Sequence, residues 1–169
     1  GRTFSLTAGK TPLRVAGVEV LDGSYTIGLD PLYDTTANEA GGFDYTVYQC
    51  RDSQKLSGSI TADYEDTGIV YSGMPSGWNY VKAFIKSKLG VLFPKLIGGS
   101  STTYFKSACC GTNSAGVRCP WRFANLINGG NAGLAAENGN NAPGNSNWNS
   151  RPRIYVFMKA GENLLKCVC

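Results

Sequence analysis

At 169 residues with 42% apolar content, the chain can bury a real core as one medium domain, or as one domain with a small appendage. Its net charge of +4 comes without a long basic run, which excludes the dense cationic footprint expected of a nucleic-acid binder. No stretch approaches the roughly 20 apolar residues of a membrane span, and with charged residues at 17% the surface must rely on Asn, Ser and Thr.

In chain order, the first 66 residues read as strands. Residues 4–7, 18–21, 25–27 and 43–48 alternate apolar and polar positions and are rich in β-branched and aromatic side chains. Turns are expected at Asp22-Gly23, Asp30-Pro31 and Gly41-Gly42, and a further strand at 55–64. A helix is expected over 78–89, because Trp78, Val81, Ile85 and Leu89 share one helical face. Ser76 would cap its start and Gly90 would stop it. A shorter helical turn is expected around 102–108. From Cys109 onward the chain reads as loop-rich, closed by a strand at 153–158. Strands, then a helix, then a long polar segment give an α+β fold.

Six cysteines (Cys50, Cys109, Cys110, Cys119, Cys167 and Cys169) allow 15 pairings that spacing does not resolve. The Cys109-Cys110 and Cys167-x-Cys169 pairs suit a disulfide staple in an oxidising location, outside a cell or on a virion. A zinc site fits poorly, since neither spacing is the usual C-x2-4-C. Free buried thiols are the third option.

Nine of the thirteen asparagines fall between Asn125 and Asn149. Asparagine is poor in helix and strand interiors, so a polar loop would be the plain explanation. The spacing is ordered, however. Asn138 and Asn140 alternate, as do Asn145, Asn147 and Asn149, and the packing residues Trp121, Phe123, Leu134 and Trp148 lie among them. Two extended pieces joined through Ala142-Pro143-Gly144 would turn a carpet of amides outward. Each amide offers two donors and an acceptor without charge, which suits recognition and not proton transfer.

The run from Asn131 to Asn149, followed by Arg153, resembles the variable region of proteins diversified by retroelements, such as phage tropism determinants. In that family adenine-rich asparagine codons are mutagenised through reverse transcription, and the variable region sits on a C-type-lectin-like fold that binds surface receptors. The resemblance covers about 25 residues well. It implies a strand-rich part over 1–66 and a C-type-lectin-like domain over 67–169, with the variable region at about 125–153. Carried over residue by residue, the ligand-binding positions are Ile127, Asn128, Asn131, Asn138, Asn140, Asn141, Asn145, Asn147 and Asn149. The expected partner is a protein or glycan receptor on a host or neighbouring cell, met from a virion tail fibre or a cell surface. Family members are often multivalent, so a homo-oligomer is compatible with the resemblance.

An enzyme is not expected. The chain has no histidine, which removes the usual base for a Ser or Cys nucleophile. Gly9-Lys10-Thr11 lacks the first glycine of a phosphate-binding loop, whose place falls at Phe4. No cofactor or metal is expected either. Trp148-Asn149-Ser150 has serine where a calcium-dependent lectin carries an acid, and Glu137 is the one carboxylate in the Asn-rich segment. The alternatives kept open are a fixed-specificity lectin-like protein and a structural virion or cell-surface protein.

Overall fold

The structure, a computed structural model, describes residues 13–15, 18–21, 25–88, 90–123, 128, 131, 136–147 and 150–151. These residues form strands, turns and loops, with no α-helix among them. A hairpin pairs β1 (Leu13–Val15) with β2 (Val18–Leu21). The other strands are β3 (Tyr25–Ile27), β4 (Leu32–Ala37), β5 (Phe43–Cys50), β6 (Tyr64–Met74), β7 (Gly77–Lys86) and β8 (Leu92–Ile97). After them come β9 (Ala108–Gly111), β10 (Gly116–Arg122), β11 (Glu137–Asn141) and β12 (Ser150–Arg151).

β3 to β12 make one ten-stranded sheet whose main path runs β6-β5-β4-β10-β11-β9-β7-β8. β8 returns alongside β6, so the sheet nearly closes on itself like a barrel. β3 and β4 act as one broken strand along β10. Both pair with it antiparallel, and between them Gly28 N–H donates to the Pro120 carbonyl at 2.9 Å. The sheet forks at the Asp30-Pro31 bend: β3 continues to β12 in parallel, and β4 continues to β5.

Among the described residues a nearly all-β sheet therefore overturns the α+β expectation, and with it the C-type-lectin-like fold class. The expected helix at 78–89 is largely β7, paired with β8 on one side and β9 on the other. Trp78, Tyr80, Val81, Phe84 and Ile85 are residue types that fit a pleated surface. Register shifts on either side of Ala83 displace the alternation, so Trp78, Val81 and Ile85 fall at spacings that imitate a helical face. Gly90, at φ 93°, closes the β7–β8 hairpin instead of ending a helix. Around it Ser87 N–H donates to the Val91 carbonyl at 2.8 Å.

The expected strand at 55–64 is a loop that reaches β6 only at Tyr64. Asp52, Ser57 and Thr61 side chains accept from the backbone N–H groups of Gln54, Ser59 and Asp63, capturing donors that a ladder would need. Residues 102–107 turn without helix, and Tyr104 and Lys106 take φ 54° and 51°. The stretch after Cys109 holds the rest of β9, then β10 and β11, where loops were expected. Strands expected at 18–21, 25–27 and 43–48 are present as β2, β3 and β5. Those expected at 4–7 and 153–158 lie outside the described residues.

Two apolar clusters hold the sheet. One packs Tyr33, Tyr45 and Phe93, with ring centroids 5.1 to 6.0 Å apart, against Val47, Ile69 and Met74. The other gathers Tyr25, Leu32, Cys119 and Trp121, with Leu56 and Ile60 of the 51–63 loop packed on it. The Tyr64 hydroxyl ties that loop down, donating to the Leu29 and Ser57 carbonyls and accepting from Ser57 N–H at 3.0 Å.

Candidate functional site

β11 lies inside the sheet, antiparallel to β10 and parallel to β9. Its period-2 geometry splits its residues between two environments. Glu137 and Gly139 are buried, while Asn138 and Asn140 are half-exposed. The Glu137 carboxylate accepts from the Tyr33 hydroxyl at 2.5 Å and pairs with the Arg122 guanidinium at 3.1 Å. Burial, and then the Glu137 charge beside it, push the Tyr33 phenol well above its ordinary range, so it stays a donor. A Cβ added at Gly139 would meet the Tyr33 ring at 3.5 Å. Sequence reasoning weighed Glu137 only as a calcium ligand. Its partner Tyr33 lies 104 residues away, and no local pattern connects them.

Above this buried pair the asparagines line up. Asn138 Oδ1 accepts from Asn140 N–H at 3.0 Å, and Asn140 Oδ1 accepts from Asn113 N–H at 3.2 Å. Their Nδ2 groups make no hydrogen bond among the described residues. After β11 the chain turns at Ala142-Pro143-Gly144, where Asn145 N–H donates to the Ala142 carbonyl at 3.0 Å. Asn145 Nδ2 then reaches back to Asn141 Oδ1 at 3.4 Å. Ser150 N–H donates to the Asn147 carbonyl at 3.0 Å. A Cβ added at Gly58 would lie 3.2 Å from Pro143, so the 51–63 loop borders the amides.

Of the nine expected ligand-binding positions, Asn138, Asn140 and Asn141 lie on β11, half-exposed. Asn145 and Asn147 are exposed on the turns that follow. Asn131 is half-buried, and Asn128 is tied to the core by an amide hydrogen bond to the Tyr25 hydroxyl. Ile127 and Asn149 lie outside the described residues, as do Leu134 and Trp148. Asn113 joins the array although sequence spacing gave no sign of it. It sits 27 residues from Asn140 and meets it only because β9 and β11 are neighbours.

Cys50, Cys109, Cys110 and Cys119 are free thiols, and Cys167 and Cys169 lie outside the described residues. Burial, helped by the Glu137 carboxylate, pushes the Cys109 thiol up to about 12. Burial alone raises Cys110 to about 11, and Cys119 is held up at about 11 mainly by burial. Neutral thiols are poor nucleophiles and poor metal ligands. Among the described residues no three Cys, Asp or Glu side chains converge on one point as metal ligands. Among the described residues the array offers amide hydrogen bonds and shape.

Compared with known protein families, curated proteins and solved structures, the chain matches none.

Proposed function

We propose that the chain is a non-catalytic display protein on a virion or cell surface. Its asparagine array binds a protein or glycan receptor and is diversified by a retroelement. One observation carries the reading: on β11 the residues alternate between buried and half-exposed. Glu137 and Gly139 face the core, whereas Asn138 and Asn140 stand over it and continue through Asn141, Asn145 and Asn147 onto exposed turns. Exchanging an outward amide leaves the apolar clusters untouched, so specificity can change without refolding the scaffold. The support lies in asparagine spacing and placement, because the sheet itself is not the lectin-like scaffold that the resemblance implied.

The test is on DNA. The 3′ end of the gene would be sequenced across many members of the source population, together with its flanks. Differences are expected at codons for Asn138, Asn140, Asn141, Asn145, Asn147 and Asn149, at adenines of a nearby repeat, while those for Glu137 and Gly139 stay fixed. Invariant codons with no repeat or reverse transcriptase nearby would sink the diversification.

The second reading is a fixed structural surface. It draws on the bonds that Asn128, Asn138 and Asn140 already make within the chain. Replacing Asn145, Asn147 and Asn149 together by alanine separates the two. A display surface predicts a melting temperature within about 2–4 °C of wild type. Retention on intact cells of the source community, read by flow cytometry, should fall by at least roughly tenfold. Collapse of the fold would mark these residues as structural.

A further inference from the structure

Charge is segregated along this chain. From Asp30 to Asp66 there are eight carboxylates against Arg51 and Lys55, whereas residues 67–136 carry seven cations and no acid. The fold turns this asymmetry into two adjoining surfaces. On the outer side of β4–β6, the pairings Asp34↔Thr46↔Val70, Thr36↔Asp44 and Tyr48↔Asp66 put three carboxylates and Val70 on one face. Across the seam, where no backbone ladder joins β6 to β8 and Tyr71 hydrogen-bonds the Ile97 backbone, the β7–β8 hairpin and the loop after it expose Lys82, Lys86, Lys88, Lys95 and Lys106. An ion pair crosses the seam, from Lys88 to Glu65 at 3.1 Å.

The same region is where the apolar surface is exposed. Val70 is 66% exposed on β6, and Leu92 and Leu96 are 54% and 50% exposed on β8. Tyr104 and Phe105 are 59% and 58% exposed in the next loop, Tyr104 under the Lys82 ammonium and Phe105 edge-on to Phe84. Scattered exposed hydrophobic residues are ordinary, but Val70, Leu92 and Leu96 lie on the two strands that flank one seam, and Tyr104 and Phe105 lie against β7 next to it.

We propose that a second copy of this chain covers the seam, in a two-fold dimer that sets each lysine hairpin against the other's acidic face. Two opposite patches lying side by side are self-complementary under a two-fold rotation, because each meets its counterpart twice. Val70, Leu92 and Leu96 leave water in the process, and the charges fix the orientation. β11 sits about half-way round the sheet from the seam, so both asparagine arrays stay open. The dimer would present two arrays at once, although its formation does not depend on what they bind.

The test is the mass of the full chain by light scattering and equilibrium sedimentation, from about 1 to 100 µM protein. A dimer of twice 18.0 kDa is expected at low salt. It should dissociate more readily as salt rises, because rim charges are screened. Lys82→Glu with Lys86→Glu, and separately Asp34→Lys with Asp66→Lys, should each raise the dimer dissociation constant at least about tenfold, with unchanged circular dichroism. An equimolar mixture of the two variants should recover a heterodimer, since one contact is then native and the other is reversed on both sides. A monomer at every concentration overturns the proposal, as does a dimer indifferent to salt and to both reversals. A monomer that sediments with phosphatidylserine vesicles through the lysines would instead assign the patch to a lipid surface, and also overturns it.

Discussion

Replacing Glu137 by alanine is expected to destabilise the protein by about 2–4 kcal/mol, read as a shift in the urea midpoint at constant slope. The carboxylate is nearly buried and serves two partners from different strands, Tyr33 of β4 and Arg122 of β10. Alanine leaves the Tyr33 hydroxyl, fully buried, without its acceptor, which alone costs about 1–3 kcal/mol. Arg122 contributes less, because its side chain is 37% exposed and water screens the charge it loses. Glutamine keeps an acceptor of nearly the same shape. Glu137→Gln should therefore recover about half of the loss. Adding Tyr33→Phe to Glu137→Ala should cost little more, because the orphaned hydroxyl is gone. A loss below about 0.5 kcal/mol for Glu137→Ala would show that this contact does not hold β11 in place.

The same triad links stability to recognition. Glu137 opens β11, and the next outward residues are Asn138 and Asn140, so a strand loosened at 137 presents its amides less sharply. Weakened binding by Glu137→Ala would thus come with a falling melting temperature. Exchanges at Asn145 and Asn147 should change binding alone. That contrast distinguishes the support from the surface it supports.

How much of this was legible in the sequence varies along the chain for physical reasons. β2, β3 and β5 were readable because each alternates cleanly, and Gly41-Gly42 was readable because both glycines take φ 89° in the β4–β5 turn. β7 was misread because its register shifts conceal period 2 and leave a spacing that also satisfies period 3.6. The strand expected at 55–64 was misplaced because Leu56 and Ile60 look like strand positions, whereas they pack onto the Trp121 cluster from an irregular backbone. The amide run could be read as an array, since alternation is local. What could not be read was its underside. The contacts of Glu137 with Tyr33, and of Asn140 with Asn113, exist only once β4, β9, β10 and β11 lie side by side.

The strand beside β11 gives the severest single-residue test. Gly111→Ala is expected to cost about 3 kcal/mol or more and to lower the yield of folded protein. A Cβ at Gly111 would lie 2.1 Å from the Pro75 carbonyl oxygen and 3.3 Å from the Met74 side chain. The obstruction is backbone, so no rotamer change relieves it. Gly111 pairs with Gly77 where β9 meets β7, and the strands there must separate to admit a methyl group. Such a separation reaches β11 through β9, which pairs with it at Cys109↔Glu137 and Cys110↔Asn138. Gly144→Ala is the matching control, because nothing lies within 4 Å of its would-be Cβ. It should stay within about 0.5 kcal/mol of wild type. Equal tolerance at both positions would mean that β7 and β9 do not meet at Gly77 and Gly111, and the support under the asparagine array would then have to be redrawn.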